Sequence, residues 1–408
     1  MSLKIAVIDD GINEKIYNTK DLLDNIEVDT ALNILERKDY NALLPSHGST
    51  CAAIIGKYAP DAAIGSIKIL EDDNKSAMTG QLLKAMEWCS ENGYRIVNLS
   101  LGTTQYRDFE SIEKAVTCAL AKGLIIVASC NNKNIITFPA SLPGVIGVKC
   151  DTTLTLRDGG YYYNEPAYDG IDITAHCCQS LVNYKGETAP VPRCNSFATP
   201  LITAMVYKIL NQSPKASLSK IKALLKKHAE ARPINNVRLE KTKIEIPMIL
   251  ITDYTANQQQ RYEEGLVFQF RKNGYNAVLI EHGKEAADIS QGYVTTDFRN
   301  TASFEHIKLI NRIYDPDIII VSVNMYKGSG KYLIDLLNFF EIDIRIIIAE
   351  SYDKAKEYLM TGNADNYMIL LPYEEISDKT TNDVRILNYS GCNFLEEIYN
   401  SIIKLFGN

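Results

Sequence analysis

The segment LKIAVIDDGI, residues 3–12, contains the pattern on which the fold of this chain depends. It is an apolar run of strand length that ends in two acids and a turn glycine. A continuous apolar run of this length is typical of a buried strand in a parallel sheet. A carboxylate directly after such a strand is held rigidly, so Asp9 can orient a neighbouring imidazole.

The same pattern repeats along the chain. Strand-like segments such as YRIVNLSLG (94–102) and LIIVASC (124–130) alternate with helix-like segments such as FESIEKAVTCALAKG (109–123). Strands that alternate with helices predict an α/β fold, in which right-handed crossovers join the strands of a parallel sheet. We therefore expect a parallel sheet with helices on both faces.

Composition excludes several classes of protein. The chain has 408 residues, of which 46% are hydrophobic and 23% charged, with a net charge of −7. These values are ordinary for a globular protein of two or three domains, and the negative charge argues against a general nucleic-acid surface. No apolar run reaches the length of a membrane span, and the N-terminus lacks the apolar core of a signal peptide. We expect a cytoplasmic protein that binds neither nucleic acid nor membrane.

The nine cysteines do not show the repeated CxxC spacing of a zinc site. In a cytoplasmic protein we expect them to be reduced thiols. The run His176, Cys177, Cys178 could form one corner of a metal site, but small buried side chains are the simpler interpretation. We expect neither a metal ion nor a cofactor.

A change in composition divides the chain. The segment ARPINNVRLEKTKIEIP (231–247) has the proline, paired asparagines and alternating charges of a linker. The alternation of strands and helices restarts at MILITDY (248–254). We assign a first domain to residues 1–230, the linker to 231–246 and a second α/β domain to 247–408.

Four polar residues lie at predicted strand ends or helix starts, in the chain order Asp9, His47, Asn131, Ser196. Taken singly, each would be an ordinary cap, core or turn residue. Together they supply what a serine nucleophile needs, which is a base, an acid that orients the base, and a donor for the oxyanion. The set predicts nucleophilic catalysis by serine.

The segments around these residues resemble the motifs of the subtilases, the subtilisin-like serine peptidases. VIDDGI (7–12) resembles their Asp motif, HGSTCAAIIG (47–56) their His motif and NSFATPLITA (195–204) their Ser motif. VNLSLG (97–102) and FPASLPGVIGV (138–148) match other recurrent segments of that family. The resemblance covers the predicted first domain and implies a subtilisin-like fold, a parallel-sheet sandwich with helices on both faces.

The resemblance also implies a role for each residue. Ser196 would be the nucleophile, His47 the general base and then the general acid, and Asp9 the residue that fixes the histidine tautomer. Asn131 and the backbone N–H of Ser196 would form the oxyanion hole, whereas Asp10 occupies a variable position and receives no role. The residues expected to flank the substrate and line its specificity pocket are Ser100, Leu101, Gly102, Ala128, Ser129 and Cys130.

Several positions depart from the family pattern. Cys194 and Asn195 replace the usual Gly-Thr before the serine, and Cys130 replaces the usual glycine before the oxyanion asparagine. Loss of glycine narrows backbone freedom at both places. Thr137 replaces a glycine at the base of the specificity pocket, so we expect a preference for a small substrate residue there.

The resemblance implies a cytoplasmic serine endopeptidase that cleaves a peptide or protein. Many subtilases carry a propeptide, but only eight residues precede Asp9, so we expect an enzyme that is never held as a zymogen and has narrow specificity. Removal of the leader from a ribosomally made precursor peptide is one such activity. The alternatives are a catalytically inactive subtilase-fold binding or scaffold protein, and general intracellular proteolysis.

The second domain opens with the strand–loop–helix order of a P-loop domain. Its loop TDYTANQQQ (252–260) lacks the glycine and lysine that cradle phosphates. The later segment YKGSGK (326–331) also fails, because the first glycine of a P-loop would fall on Met325. We expect a Rossmann-like or P-loop-like three-layer domain that serves substrate recognition or homodimerisation and binds no nucleotide.

Overall fold

The computed structural model describes most of the chain, and the ranges it describes are residues 3–70, 79–165, 167–231, 244–255, 262–282, 288, 290–296, 302–325, 330–359, 366–371, 384–388 and 393–407. The chain divides into two compact units, residues 1–235 and 236–408. This division falls inside the predicted linker, most of which (232–243) lies outside the described residues, as does most of the YKGSGK segment.

The first unit contains, within the described ranges, a sheet of nine strands. These are β1 (Lys4–Asp9), β2 (Asn25–Val28), β3 (Ile34–Glu36), β4 (Ala63–Lys68), β5 (Ile96–Leu99), β6 (Ile125–Ser129), β7 (Ile146–Cys150), β8 (Tyr161–Tyr163) and β9 (Ile173–Ala175). Their order is β3-β2-β4-β1-β5-β6-β7-β9-β8. Only the outer pairs β2/β3 and β8/β9 are antiparallel. A separate hairpin is formed by β10 (Ser180–Val182) and β11 (Thr188–Pro190).

Helices cover both faces of this sheet. They are α1 (His47–Tyr58), α2 (Thr79–Glu91), α3 (Tyr106–Ala121), α4 (Asn195–Gln212) and α5 (Leu218–His228). Alternate residues of β1, such as Ile5 and Val7, share one apolar core with α1, α4 and α5. The intervening Ala6 and Ile8 are equally buried on the other side, where α2 packs against β1 and against α3. The subtilisin-like α/β arrangement expected from the sequence is therefore confirmed.

The second unit has its own parallel sheet. Its strands are β12 (Met248–Asp253), β13 (Ala277–His282), β14 (Tyr293–Thr296), β15 (Ile318–Asn324), β16 (Ile344–Ile348), β17 (Asn366–Leu371) and β18 (Val384–Asn388), in the order β14-β13-β15-β12-β16-β17-β18. Its helices are α6 (Tyr262–Lys272), α7 (Ala302–Tyr314), α8 (Gly330–Phe339), α9 (Tyr352–Leu359) and α10 (Phe394–Phe406). One apolar core joins the sheet to α6 and α10, and another joins it to α9.

The expectation that all cysteines are reduced thiols is wrong. Cys150 and Cys177 form a disulfide with Cα atoms 5.6 Å apart. The reason is topological: Cys150 ends β7 and pairs with Ala175 at the end of the adjacent β9, so the chain just beyond β9 returns to Cys150. The disulfide also removes Cys177 as a thiolate ligand of a metal. Disulfides are typical of oxidising compartments, so this bond does not support the expected cytoplasmic location.

None of the helices in the described part of the chain is long and apolar enough to cross a membrane.

Candidate active site

The predicted site residues lie at one edge of the first sheet. Asp9 is the last residue of β1, and Asn131 follows β6 by two positions. His47 is the first residue of α1, and Ser196 is the second residue of α4. Carboxyl ends of parallel strands meet at the same edge of a sheet, which is why positions so far apart in sequence come together.

Asp9, which is buried, and His47, which is half-buried, form a hydrogen-bonded pair. His47 Nδ1 lies 2.8 Å from Asp9 Oδ2, and Asp9 is 1% exposed. The other carboxylate oxygen accepts the N–H of Asp10 at 2.9 Å. The imidazole ring stacks on Phe197, with ring centroids 4.7 Å apart. The Asp9 carboxylate can only accept, so Nδ1 carries a proton and Nε2 is the nitrogen that gains or loses the second one.

The surroundings of His47 favour its charged form. Desolvation on its own would lower the pKa of His47, but the hydrogen bond to the Asp9 carboxylate raises it, so that it lies above its ordinary value of 6.5. Burial raises the pKa of the Cys51 thiol, so this thiol is neutral near pH 7 and the Asp9 carboxylate supplies the charge. A stabilised imidazolium is what a histidine base needs when it accepts a proton.

Cys51 lies one helical turn after His47 and contacts the pair from the buried side. Its Sγ is 3.9 Å from both Asp9 Oδ2 and His47 Nδ1, and 3.4 Å from Ser100 Oγ. Within the described residues, Asp9, His47 and Cys51 are the only group of three metal-binding side chains close enough to share an ion. Their hydrogen bonds to each other already explain the arrangement, and the absence of a metal stays a prediction.

A proline affects the backbone hydrogen bonds of Ser196. Pro200 lies inside α4 and has no N–H, so the carbonyl of Ser196, four residues earlier, receives no helical hydrogen bond. Ser100 Oγ donates to this carbonyl at 3.1 Å. Ser100 Oγ in turn accepts from Asn98 Nδ2 at 3.2 Å, and Asn98 is fully buried. The end of β5 therefore holds the first turn of α4.

The hydroxyl of Ser196 points toward the same strand end. Its Oγ donates to the carbonyl of Ser100 at 3.3 Å. Among the described residues no hydrogen bond joins Ser196 Oγ to His47. Ser196 Oγ and His47 would have to approach each other before the proton is transferred, and unliganded catalytic sites often show such loose contacts.

Asn131 is arranged as a donor. Its Oδ1 accepts the N–H groups of Lys133 at 3.0 Å and Ile135 at 3.3 Å, which leaves its NH2 group without a partner in the described part of the structure. Asn195 Nδ2 donates to the carbonyl of Asn131 at 2.6 Å. Asn195 Oδ1 accepts the N–H of Cys150 at 2.7 Å. Asn195 thus connects the loop of Asn131 and the end of β7 to the start of α4.

The segments predicted to form the specificity pocket are packed against each other. Thr137 is 1% exposed, and its Oγ1 donates to Ile135 O at 2.8 Å and accepts from Asn131 N at 3.1 Å. A Cβ added at Gly102 would lie 2.8 Å from the Thr137 methyl carbon. The methyl group of Thr137 therefore fills the space beside Gly102 that a glycine at position 137 would leave open.

Cys130 does not act as a nucleophile here. It is 2% exposed, and its Sγ donates to the carbonyl of Ile135 at 3.4 Å. Burial raises the pKa of this thiol to about 11, so it is uncharged at neutral pH.

A cleft of about 900 Å³ borders His47. The aromatic and proline side chains that line it are Tyr17, Tyr40, Pro45, Pro190, Pro192 and Phe197. Leu44 also lines it and is 58% exposed. Unlike the filled pocket at Thr137, this cleft has room for substrate side chains.

A sequence model of the Subtilase family matches residues 2–265. The chain belongs to the subtilase family. Subtilisin BL from Lederbergia lenta is 26% identical over 181 residues, which are 44% of this chain and 65% of that protein. The thermophilic serine proteinase of Bacillus sp. (strain AK1) is 30% identical over 233 residues, which are 51% of this chain and 52% of that protein. The chain thus spans less than two thirds of the length of these curated relatives.

Solved structures include similar chains. The S41 psychrophilic protease has a TM-score of 0.46 and 22% sequence identity, and the match covers 55% of this chain and 82% of that one.

The structure of this subtilase brings some of the residues predicted from its sequence together and leaves others apart. Asp9, His47 and Ser196 lie at one edge of the sheet. Asn131 is connected to them by the hydrogen bond from Asn195, the residue before Ser196, to its carbonyl. Of the predicted pocket residues, Gly102 is exposed and Leu101 half-buried. Those that are almost fully buried are Ala128, Ser129, Cys130 and Thr137. Ser100 is also buried, and its hydroxyl supports Ser196 O rather than facing a substrate.

Sequence reasoning missed two residues of this site. Asp10 accepts hydrogen bonds from the backbone of α1, although its position in the motif indicated no role. Cys51 lies behind the imidazole. Its position four residues after His47 on a helix was a usable signal, because residues at that spacing share one helical face.

We predict that Ser100→Ala destabilises the protein. The substitution leaves the Ser196 carbonyl with only the distant Cys51 Sγ at 3.9 Å, and an unsatisfied buried carbonyl costs about 1–3 kcal/mol. Urea unfolding measures the loss in the free energy of unfolding. Ser90→Ala is the control, because Ser90 is a helix-surface residue away from the site. Equal stability of the two variants would contradict this role of Ser100.

We predict that His47 titrates with a midpoint above 6.5. The measurement is an NMR titration of the histidine ring protons, with His47 assigned by its loss in His47→Gln. Asp9→Asn removes the charge that stabilises the imidazolium, so its midpoint should lie below that of the wild type. A midpoint that does not change on this substitution would contradict the assignment of Asp9 as the cause.

Proposed function

We propose that this subtilase is a serine endopeptidase, with Ser196 as nucleophile and His47 as its base. The observation that carries the proposal is the hydrogen-bonded Asp9–His47 pair at 2.8 Å, located beside the first turn of the helix that bears Ser196. A histidine held by a buried carboxylate, next to a serine at a helix N-terminus, is the arrangement that activates a serine hydroxyl.

The reaction follows from this geometry. Ser196 Oγ attacks the carbonyl carbon of the peptide bond while His47 Nε2 takes its proton, and Asp9 stabilises the imidazolium. The oxyanion receives hydrogen bonds from Asn131 Nδ2 and from the N–H of Ser196, which has no intrahelical partner in the first turn of α4. The imidazolium then gives its proton to the leaving amine. Water, deprotonated by the same imidazole, releases the acid from the acyl-enzyme.

We further propose that the enzyme has narrow specificity for a small residue before the cleaved bond. Support comes from Thr137, which fills the space between Gly102 and the loop of Asn131. Bulkier substrate side chains are accommodated in the cleft beside His47, whose aromatic, proline and Leu44 surfaces suit apolar groups. A protein or peptide precursor with a small residue at its processing junction, such as one that carries a leader, fits this combination.

The second unit is proposed to recognise the substrate or to mediate homodimerisation. Its parallel sheet, with helices on both faces, is compatible with a Rossmann-like or P-loop-like three-layer domain. Folds of this kind serve many functions, so the role has to be tested on the full chain.

The first test is labelling by a fluorophosphonate probe over a series from neutral to alkaline pH, because His47 can accept the serine proton only when its Nε2 is unprotonated. We expect the wild type to be labelled and Ser196→Ala to be unlabelled, because the probe reacts with an activated serine hydroxyl. Ser219→Ala, on the exposed start of α5, is the matched control and should retain labelling. A folded wild-type protein that is not labelled would contradict the peptidase proposal and would favour a non-catalytic binding protein.

The second test addresses specificity with peptides that differ only in the residue before the cleaved bond. We expect kcat/KM for alanine or glycine to exceed that for phenylalanine by at least about tenfold, because an aromatic ring cannot enter a filled pocket. Thr137→Gly should raise kcat/KM for phenylalanine, whereas Gly102→Ala should lower it further. Wild-type preference for phenylalanine, or rapid cleavage of unfolded casein without selectivity, would contradict narrow specificity.

A further inference from the structure

Asp10 provides a second carboxylate at the start of α1. Its Oδ2 accepts the backbone N–H of His47 at 2.9 Å, and its Oδ1 accepts the N–H of Gly48 at 2.7 Å. We propose that Asp10 is a positioning residue, whose carboxylate clamps the first turn of α1 and thereby holds the His47 imidazole against Asp9. This inference rests on the proposed peptidase function and adds a residue to its machinery.

The clamp is separate from the ordinary cap of this helix. Ser46 is the N-cap residue, and its Oγ accepts from Ser49 N at 3.1 Å and donates to Gly11 O at 2.7 Å. An N-cap side chain serves the second or third N–H of a helix. Asp10 serves the first and second, so the two side chains together satisfy the N–H groups of His47, Gly48 and Ser49, which no helical carbonyl reaches.

Two consecutive acids therefore hold one histidine at two points. Asp9 binds the ring through Nδ1, and Asp10 binds the backbone from which the ring extends. The N–H of Asp10 also donates to Asp9 Oδ1, so both carboxylates are fixed by the same turn after β1. Because the ring is bonded to Asp9 and the His47 backbone is bonded to Asp10, the imidazole has little freedom to tilt away from Asp9.

Gly48 gives independent support for a close approach. A Cβ at this position would lie 2.7 Å from the carbonyl oxygen of Gly11 and 3.3 Å from Asp10 Oδ1. The first distance is shorter than real Cβ contacts, so only glycine allows the helix to come this near to the turn. The sequence therefore supplies both the carboxylate of Asp10 and, at Gly48, a residue without a Cβ that would block the approach of the helix.

The charge of Asp10 acts on His47 as well. Burial and the neighbouring Asp9 raise the pKa of Asp10, while the two backbone hydrogen bonds and His47 lower it in part. A carboxylate at a helix N-terminus is favoured by the helix dipole, and a negative charge here stabilises the imidazolium. Among the described residues, the other titratable or charged side chains that border the cleft or the imidazole are Tyr17, Glu27, Arg37, Lys38, Asp39, Tyr40, Lys68, Cys51 and Cys194.

The test uses the full chain with Asp10→Asn, which preserves shape. The amide oxygen can accept one N–H, but the NH2 group cannot accept the other. We expect the rate of fluorophosphonate labelling to fall at least about tenfold, since small misplacement of a catalytic group has large effects on rate. We also expect the NMR titration midpoint of His47 to move to lower pH, because a negative charge beside the imidazolium is lost.

Two further variants separate positioning from general stability. Asp10→Ser and Asp10→Asn both retain one acceptor without charge, so their labelling rates should lie between those of the wild type and Asp10→Ala, which retains none, while the His47 midpoint should be lowered in all three. Ser217→Ala removes the cap of α5, where Ser217 Oγ accepts from Lys220 N at 3.3 Å. It should lower thermal stability slightly and leave both the labelling rate and the His47 midpoint unchanged.

The outcomes are distinguishable from failure of the proposed function. If the labelling rate and the His47 midpoint of Asp10→Asn match the wild type, or change no more than those of Ser217→Ala, the positioning role is wrong. If the wild type is not labelled but Asp10→Asn still shifts the His47 midpoint, the peptidase proposal fails while Asp10 retains its role. Should Asp10→Asn fail to fold, Asp10→Ser supplies the same two readouts.

Discussion

The hydrogen bond between Asp9 and His47 is the contact on which the site depends. A carboxylate that is 1% exposed is stable in a protein interior only if its oxygens are satisfied. Asp9 meets this requirement with the imidazole on one oxygen and the N–H of Asp10 on the other. Because Asp9 ends a central strand and His47 begins α1, the same bond that would orient a base also fixes the helix to the sheet edge.

The helix that carries Ser196 is fixed to that edge by a different set of hydrogen bonds. Pro200 removes one helical hydrogen bond, and the freed carbonyl of Ser196 is bound by Ser100 at the end of β5. Asn195 connects the same helix turn to the loop of Asn131. Both contacts go to backbone carbonyls, so Ser196 and the loop of Asn131 are each held through their main chain. Donors that are fixed before the reaction need no rearrangement when charge develops in the transition state, which is how preorganised sites lower the barrier.

The proposed specificity and the proposed activation use different parts of this edge. The methyl group of Thr137 lies close to Gly102, so the proposed selectivity against large residues would arise from exclusion rather than from attraction. The cleft beside His47 remains open and is lined by both apolar and charged side chains. Asp10 lies at its border while its oxygens face α1, so a residue that borders the substrate region also supports the base.

The sequence by itself determined the alternation of strands and helices and the placement of Asp9 and His47 at element ends, because both follow from local periodicity and turn residues. It did not reveal the role of Asp10, whose partners lie 37 and 38 residues further along the chain. It also misjudged Cys150 and Cys177, which bond only because β7 and β9 are neighbours in the sheet. Strand order and helix docking decided these contacts, since hydrogen bonds between distant segments depend on distances that no local pattern encodes.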